Sequence, residues 1–478
     1  MRTALSRTAL SRTALSRTAL SRTARLLAAV LGALVAVLLL PGASAAVFAP
    51  ATFAAQYAPG PDRPVPAAAP AAHDPTRPTA VVVLGEHGAI VSDALAPYEI
   101  LAATGRFNVY TVAARHRLVP LTGGLDLVPD LTFDELAARL GTAAPDLVVV
   151  PALPDVGEPS TAPLTTWLRA QYDRGSLLLS VCNGSGVLAS AGLLDGRPAT
   201  AHWLRLATFE SRYPQVDWVH GRRFVDDGDI VTTAGILSGI DGTLHVVERL
   251  AGPSVAAGAA AAIRWRHYLA DPPVVTDDAA PDPVAIVNAG YRWDPPSIGV
   301  ALTDGVGEIE LASVFDVHGG HSLAARTLAV SAGGAPVHSR HGLTFLPRAD
   351  LASAAPRLDR LLVPGAGAVT QVPGGPAPEH VHDEPGFAYD AAVRDVARTV
   401  DVATARWTAK VLELPTDGIE LDGPAWPWGP TATLLALFLP GLVVAVALAV
   451  RQLRRRGTRV VPGIRWRRAG QARPGWSA

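Results

Sequence analysis

The chain is short of cysteine, lysine and aromatic residues, and each shortage narrows what it can be. Cys182 is the only cysteine among 478 residues, so no disulfide can close within the chain. Lys410 is the only lysine, and arginine carries almost all of the positive charge. The net charge is -1 and the central region holds no long basic patch, which excludes nucleic acid as an expected partner. Aromatic residues make up only 6%, yet hydrophobic residues reach 49%. That is enough apolar material for two or three domains whose cores need neither metals nor disulfides.

Both ends depart from a globular pattern. Residues 1–46 combine a basic leader repeating Arg-Thr-Ala-Leu-Ser, an apolar run from Leu26 to Leu40 and small residues at Ala43 and Ala45. This predicts a signal peptide or an N-terminal anchor. Residues 47–78 are rich in Ala and Pro and read as a mobile linker. Near the other end, 431–450 is an uncharged apolar stretch preceded by Trp426 and Trp428 and followed by Arg451, Arg454, Arg455 and Arg456. It predicts a single C-terminal transmembrane helix, with 451–478 as a basic cytoplasmic tail and the body held outside the cell membrane.

Between the ends, buried apolar strands alternate with helical stretches, which predicts a parallel sheet covered on both faces. Residues 79–252 form one such α/β domain, and 253–296 connect it to a second. Residues 297–415 repeat the plan: Glu310–Val317 matches Asp93–Ile100, and Asp359–Pro364 matches Asp146–Pro151. The echo stops there, with no cysteine turn after Pro364 and a helix predicted over Tyr389–Leu412. The fold class is therefore α/β, a flavodoxin-like three-layer sandwich followed by a second partial copy and a transmembrane helix. Two partner arrangements are expected: a homodimer, or packing of these two units in place of one.

The strand Leu177–Val181 runs into Cys182, an abrupt turn and a helix rich in small residues. A thiol at a helix N-terminus is expected to ionise easily. Three segments carry a family pattern: Ser92–Glu99, Ser180–Trp203 and Thr232–Glu248. They resemble the ThiJ/PfpI superfamily, the class I glutamine amidotransferase-like fold, and within it the branch of the isocyanide hydratases and the ligand-type domains of AraC-like regulators. The resemblance implies Cys182 as nucleophile and Asp93 as the acid that contacts it, with a helix N-cap as the plainer use of Asp93. Glu99 matches a family acid but reads as an ordinary helix residue. Protease-like members place His after the cysteine; Asn183 stands there instead, which removes the neighbouring base and makes peptidase activity unexpected. The family favours Gly-Gly after the strand proline, where this chain has Ala152 and Leu153. The expected catalytic set is Cys182, Asp93 and Asn183, with Gly184, Ala152 and Leu153 around an oxyanion or substrate. His202 and His245 read as structural. His318, His321, His338 and His341 lie in a loop-like setting without metal-ligand spacing, so neither metal nor cofactor is expected. Two functions remain open: a cysteine-dependent hydrolase or hydratase of a small carbon–nitrogen or carbonyl compound, and a non-catalytic module that binds a small ligand or senses redox state.

Overall fold

The structure, a computed structural model, describes residues 7–68, 70–268 and 282–457. The chain divides into two units, residues 45–431 and the paired ends 1–44 and 432–478. The larger unit begins with the last turns of helix α1 (Arg7–Ala55). Its first half contains β1 (Thr79–Leu84), α2 (Val91–Ala103), β2 (Asn108–Ala113), β3 (Val119–Leu121), β4 (Leu125–Val128), β5 (Leu131–Thr132), α3 (Phe133–Leu140), β6 (Leu147–Val150), α4 (Ala162–Asp173), β7 (Leu177–Ser180) and α5 (Gly184–Ser190). It continues through β8 (Pro198–Ala199), α6 (Trp203–Arg212), β9 (Asp217–Trp218), β10 (Phe224–Asp226), β11 (Ile230–Thr233), α7 (Ser238–Ala251) and α8 (Pro253–Ala262).

Seven strands make one sheet in the order β10-β11-β7-β6-β1-β2-β5. All pair in parallel except β10 with β11. Every residue of β1, β6, β7 and β11 is buried, as strands covered on both faces require. The crossover through α2 runs toward the β5 edge, whereas those through α3 and α4 run back toward β7. Right-handed crossovers in opposite directions place their helices on opposite faces. The strand order reverses between β1 and β6, and the crevice beyond the carboxyl ends at such a reversal is the binding place of open α/β sheets.

The second half holds α9 (Pro283–Tyr291), β12 (Ser297–Ala301), α10 (Glu308–Val314), a π-helical turn over Phe315–His321, β13 (Arg326–Ser331), β14 (Val337–His338), β15 (Thr344–Leu346), β16 (Ala349–Asp350), α11 (Leu351–Ala354), β17 (Arg360–Val363), β18 (Pro378–His380), α12 (Ala388–Thr399) and α13 (Val402–Leu412). Five strands form a parallel sheet in the order β16-β13-β12-β17-β18. A small antiparallel sheet, β14-β15-β4-β3, joins the halves, with Phe345 opposite Leu127. Helix α2 packs against α10, where the Glu99 carboxylate accepts the Ile309 N–H at 2.5 Å.

Several expectations change here. The stretch 47–78 is not a free linker: α1 continues through Ala55, Thr52 Oγ1 donates to the Ala289 carbonyl at 3.2 Å, and Arg63 pairs with Asp126 at 2.9 Å. The helix expected over Tyr389–Leu412 is two helices, because Asp401 caps α13 by accepting the Thr404 N–H at 2.6 Å. His318 and His321 sit on the π-helical turn rather than in a loop. Most of the Pro/Asp-rich connection, 269–281, lies outside the described residues.

The smaller unit contains the first part of α1 and most of α14 (Trp428–Gly457). Two helical stretches are long and apolar enough to cross a bilayer, Leu27–Ala55 and Trp428–Arg454, with mean hydropathy 2.3 and 2.6. The sequence predicted one such span besides the leader. Within this unit Gly441 lies against the Ala36 and Val37 backbone, an approach that a side chain would block. The tail from 458 onward lies outside the described residues.

Candidate active site at the Cys182 turn

Strand β7 brings Ser180 to the carboxyl edge of the sheet, and Val181 continues the pairing by donating to the Val150 carbonyl at 2.9 Å. Cys182 then turns the chain at φ +57°, the left-handed region. A non-glycine residue there costs on the order of 1–3 kcal/mol, so its surroundings must hold it in place. They do. Gly184 donates to the Val181 carbonyl at 2.8 Å and lies so close to the Val150 carbonyl oxygen that no Cβ would fit. Ser180 and Ser185 share a hydrogen bond of 2.8 Å, and Ser185 donates to the Thr200 carbonyl at 2.7 Å.

Three expected residues meet at this turn. Asp93 lies on the third position of α2, one turn in from β1, fully buried and close enough to Cys182 for its charge to act on the thiol, while its Oδ1 has no hydrogen-bond partner. Asp93 is not the N-cap: Ile90 occupies that place, and Thr122 Oγ1 accepts the Val91 N–H at 2.9 Å. The Asn183 backbone N–H favours the charged form of the sulfur. The thiol is only 2% exposed. Burial pushes its proton affinity well above the ordinary range, the Asp93 charge pushes it further, and the Asn183 N–H opposes them without prevailing. The thiol expected to ionise easily at the helix N-terminus is instead buried, and burial raises its proton affinity; α5 is only seven residues long. Asp93 is also raised well above the usual carboxylate range, by burial and then by the nearby Asp316.

The expected oxyanion donors are engaged elsewhere. The Ala152 N–H bonds Asp93 Oδ2 at 3.1 Å, and the Gly184 N–H closes the elbow turn. Leu153 lines the cavity with its side chain, and Asn183 Oδ1 is buried without a partner.

The cavity beside Cys182 has a volume of about 500 Å³. Asn183, Leu153 and His202 line it from the first half; Tyr57 from the segment after α1; His321 and Trp407 from the second half. Nothing in the sequence pattern marked Tyr57 or Trp407, and His321 was weighed only as a metal ligand, because such residues reach the site only through packing distant in sequence. His202 is structural, as expected: its ring accepts the Leu204 N–H at 3.2 Å and bonds the Val411 carbonyl at 2.9 Å, and burial lowers it to about 4. Burial, followed by the Cys182 and Asp93 charges, drives the Tyr57 hydroxyl far above its ordinary value. Two further buried acids act on the site. Asp316 is raised to about 6 by burial against hydrogen bonds from Ser92 and Thr122. Glu413 is raised to about 7 by burial, against the Ser238 hydroxyl and the Arg223 charge.

Among the described residues one cluster has ligand atoms close enough for a metal: Glu99, Glu308 and His341. Their polar atoms are already paired, with His341 Nδ1 2.8 Å from Glu308 and Arg340 3.2 Å from Glu99, so the cluster reads as an ionic clasp between the halves.

The first half is similar to known proteins. A model of the DJ-1/PfpI family matches residues 79–249. The chain is 32% identical over 212 residues to isonitrile hydratase of Pseudomonas putida, covering 43% of this chain and 86% of that protein. It is 42% identical over 96 residues to the HTH-type transcriptional regulator CdhR of Pseudomonas aeruginosa, covering 20% of this chain and 28% of the regulator. A solved AraC family transcriptional regulator from Pseudomonas putida aligns with 39% of this chain and 99% of its own, at 23% identity and a TM-score of 0.34.

Proposed function

Because the chain belongs to the DJ-1/PfpI family, we propose that its first half carries out cysteine-dependent addition of water to a small, uncharged carbon–nitrogen or carbonyl compound. One observation carries this reading: Cys182 is held in the left-handed conformation on a cavity wall, beside the buried Asp93 carboxyl. Such a thiol is unreactive at rest. When ionised, Asp93 accepts the thiol proton as the sulfur attacks; the burial that raises its proton affinity also favours its protonated form, which cannot accept one.

The resemblance to isonitrile hydratase supplies a trial substrate, an alkyl isonitrile. The sulfur bonds to the terminal carbon, and the proton held by Asp93 passes to that carbon, leaving a thioimidate on Cys182. Water adds to the same carbon, the carbon–sulfur bond breaks, the sulfur regains a proton, and an N-alkylformamide departs. The test is conversion of a small alkyl isonitrile to its formamide by the wild type and by Cys182→Ser. Equal rates would remove the sulfur from the reaction.

A second reading, a ligand-binding module of the regulator type, draws on the occupied Ala152 and Gly184 amides, which offer no oxyanion hole. Saturable binding of a small amide without turnover favours it. We further propose that the second sheet is a partial copy of the first. The order β16-β13-β12-β17 has the same crossovers as β5-β2-β1-β6, and β18 occupies the place of β7. The copy packs where a second subunit would otherwise sit. The apolar helices tether the body to the outer face of the cell membrane, a reading supported by their hydropathy and the arginines after Val450.

A further inference from the structure

Within the first half the cysteine has no imidazole to work with, since Asn183 follows it and both ring nitrogens of His202 are engaged. The second half brings another. His321 closes the π-helical turn and lines the same cavity as Cys182. The wide wrap of that turn carries Asp316, five residues earlier, to the same side. Asp316 Oδ1 lies 3.7 Å from His321 Nε2, and Nε2 has no hydrogen-bond partner. π-Helical insertions of this kind are commonly found at functional sites.

Asp316 is arranged as an acceptor. Thr122 donates to Oδ1 at 3.0 Å, and the hydroxyls of Ser92 and Tyr389 are directed at Oδ2, the latter at 3.4 Å. A carboxylate facing Nε2 favours the tautomer with its proton on that nitrogen, which makes Nδ1 the acceptor of the ring. Burial, followed by the nearby His202, lowers the imidazole to about 3, so it rests neutral as a weak base that takes a proton only as the water attacks.

We propose that His321, oriented by Asp316, is the base that aims and deprotonates the water releasing the intermediate from Cys182. The proposal rests on the cysteine reading above and adds to it that the release step belongs to the second half. As the water oxygen bonds to the carbon on sulfur, one water proton passes to His321. The water's other proton passes from oxygen to the nitrogen as the amide forms, the carbon–sulfur bond breaks, and His321 returns the first proton to the departing sulfur. The second half thus has a role in the site although it lacks a nucleophile.

The experiment uses full-length protein in detergent micelles with p-nitrophenyl acetate, which acylates a reactive thiol whatever its natural substrate. The burst of p-nitrophenol reports attack by Cys182, and the loss of acetyl-Cys182, followed by intact mass, reports release. His321→Leu is expected to keep the burst and slow release by about 10²-fold, the lower end for losing a general base. His321→Gln, which keeps an acceptor, is expected to recover part of that loss. Unchanged release in His321→Leu overturns the proposal and leaves the cysteine reading intact. Loss of the burst in both variants also overturns it, since the ring would then serve packing alone. A wild type that never forms acetyl-Cys182 defeats the cysteine reading, and this proposal with it.

Discussion

Replacing Glu413 with Gln tests how the second half controls the electrostatics of the first. Glu413 follows α13 at φ +54° and reaches back across the boundary between the halves. Its Oε2 accepts the Gly235 N–H at 2.6 Å and the Ser238 hydroxyl, while Oε1 is buried without a partner. Burial raises this carboxyl from its ordinary 4.5 to about 7. A carboxyl raised by folding contributes stability that is fully present below its unfolded value of 4.5 and is lost as the pH rises through about 7. At about 1.4 kcal/mol for each tenfold change in proton affinity, the loss above pH 7 is on the order of 3 kcal/mol. The E413Q side chain keeps the acceptor for Gly235 and Ser238 and cannot ionise. In full-length protein in detergent, its Tm at pH 5 is expected to match the wild type. At pH 8 it is expected to stand about 5 °C higher, as ~3 kcal/mol implies for a body of this size. The same charge helps to hold the Cys182 proton, so alkylation of E413Q by iodoacetamide at pH 8 is expected to be faster. A Tm difference that is the same at both pH values, or an E413Q that melts below the wild type at pH 8, would show that the carboxyl is not the strained group argued here.

Three other outcomes are expected. Gly184→Ala drives a Cβ into the Val150 carbonyl oxygen, a backbone atom that cannot rotate away, and should cost about 3 kcal/mol or more; melting within a degree of wild type refutes the close approach. Cys182 should react with iodoacetamide at pH 8 more than tenfold slower than free cysteine, given its raised proton affinity, and Asp93→Asn should lower turnover; a thiol as quick as free cysteine rules out this site electrostatics. Protease treatment of intact cells should cut the body away from α14, and full protection would place the body on the cytoplasmic side.

The alternation of strands and helices was legible because buried parallel strands are written as unbroken apolar runs. Thr79–Leu84, Leu147–Val150 and Leu177–Ser180 each stand within a residue of where the pattern puts them. The nucleophile turn was legible because its chemistry is local: one cysteine, a following helix of small residues, and Gly184 where a side chain cannot fit. The charge state of that cysteine was not legible. A helix start argues for a thiolate, but the desolvation that reverses it comes from side chains far away in sequence. The fates of the Ala152 and Gly184 amides were hidden for the same reason, because a donor counts as free only once its neighbours are known. Tyr57, His321, Trp407 and Glu413 carry no local signature. They join the site only because β15 pairs with β4 and α10 packs on α2.

That dependence gives the second half a reason to persist without a nucleophile. Ser92 lies one residue before Asp93, and its hydroxyl is directed at Asp316; Thr122 both caps α2 and bonds Asp316. The position of Asp93 beside the thiol is therefore set partly by an acid of the other half, and the Asp316 charge also raises Asp93. A change at Asp316 must act on Asp93 through this shared network, so the effects of substitutions at the two positions should not add. The halves thus meet at one cavity: the first presents the sulfur, and acids of the second, Asp316 and Glu413, add to the electrostatic field around it.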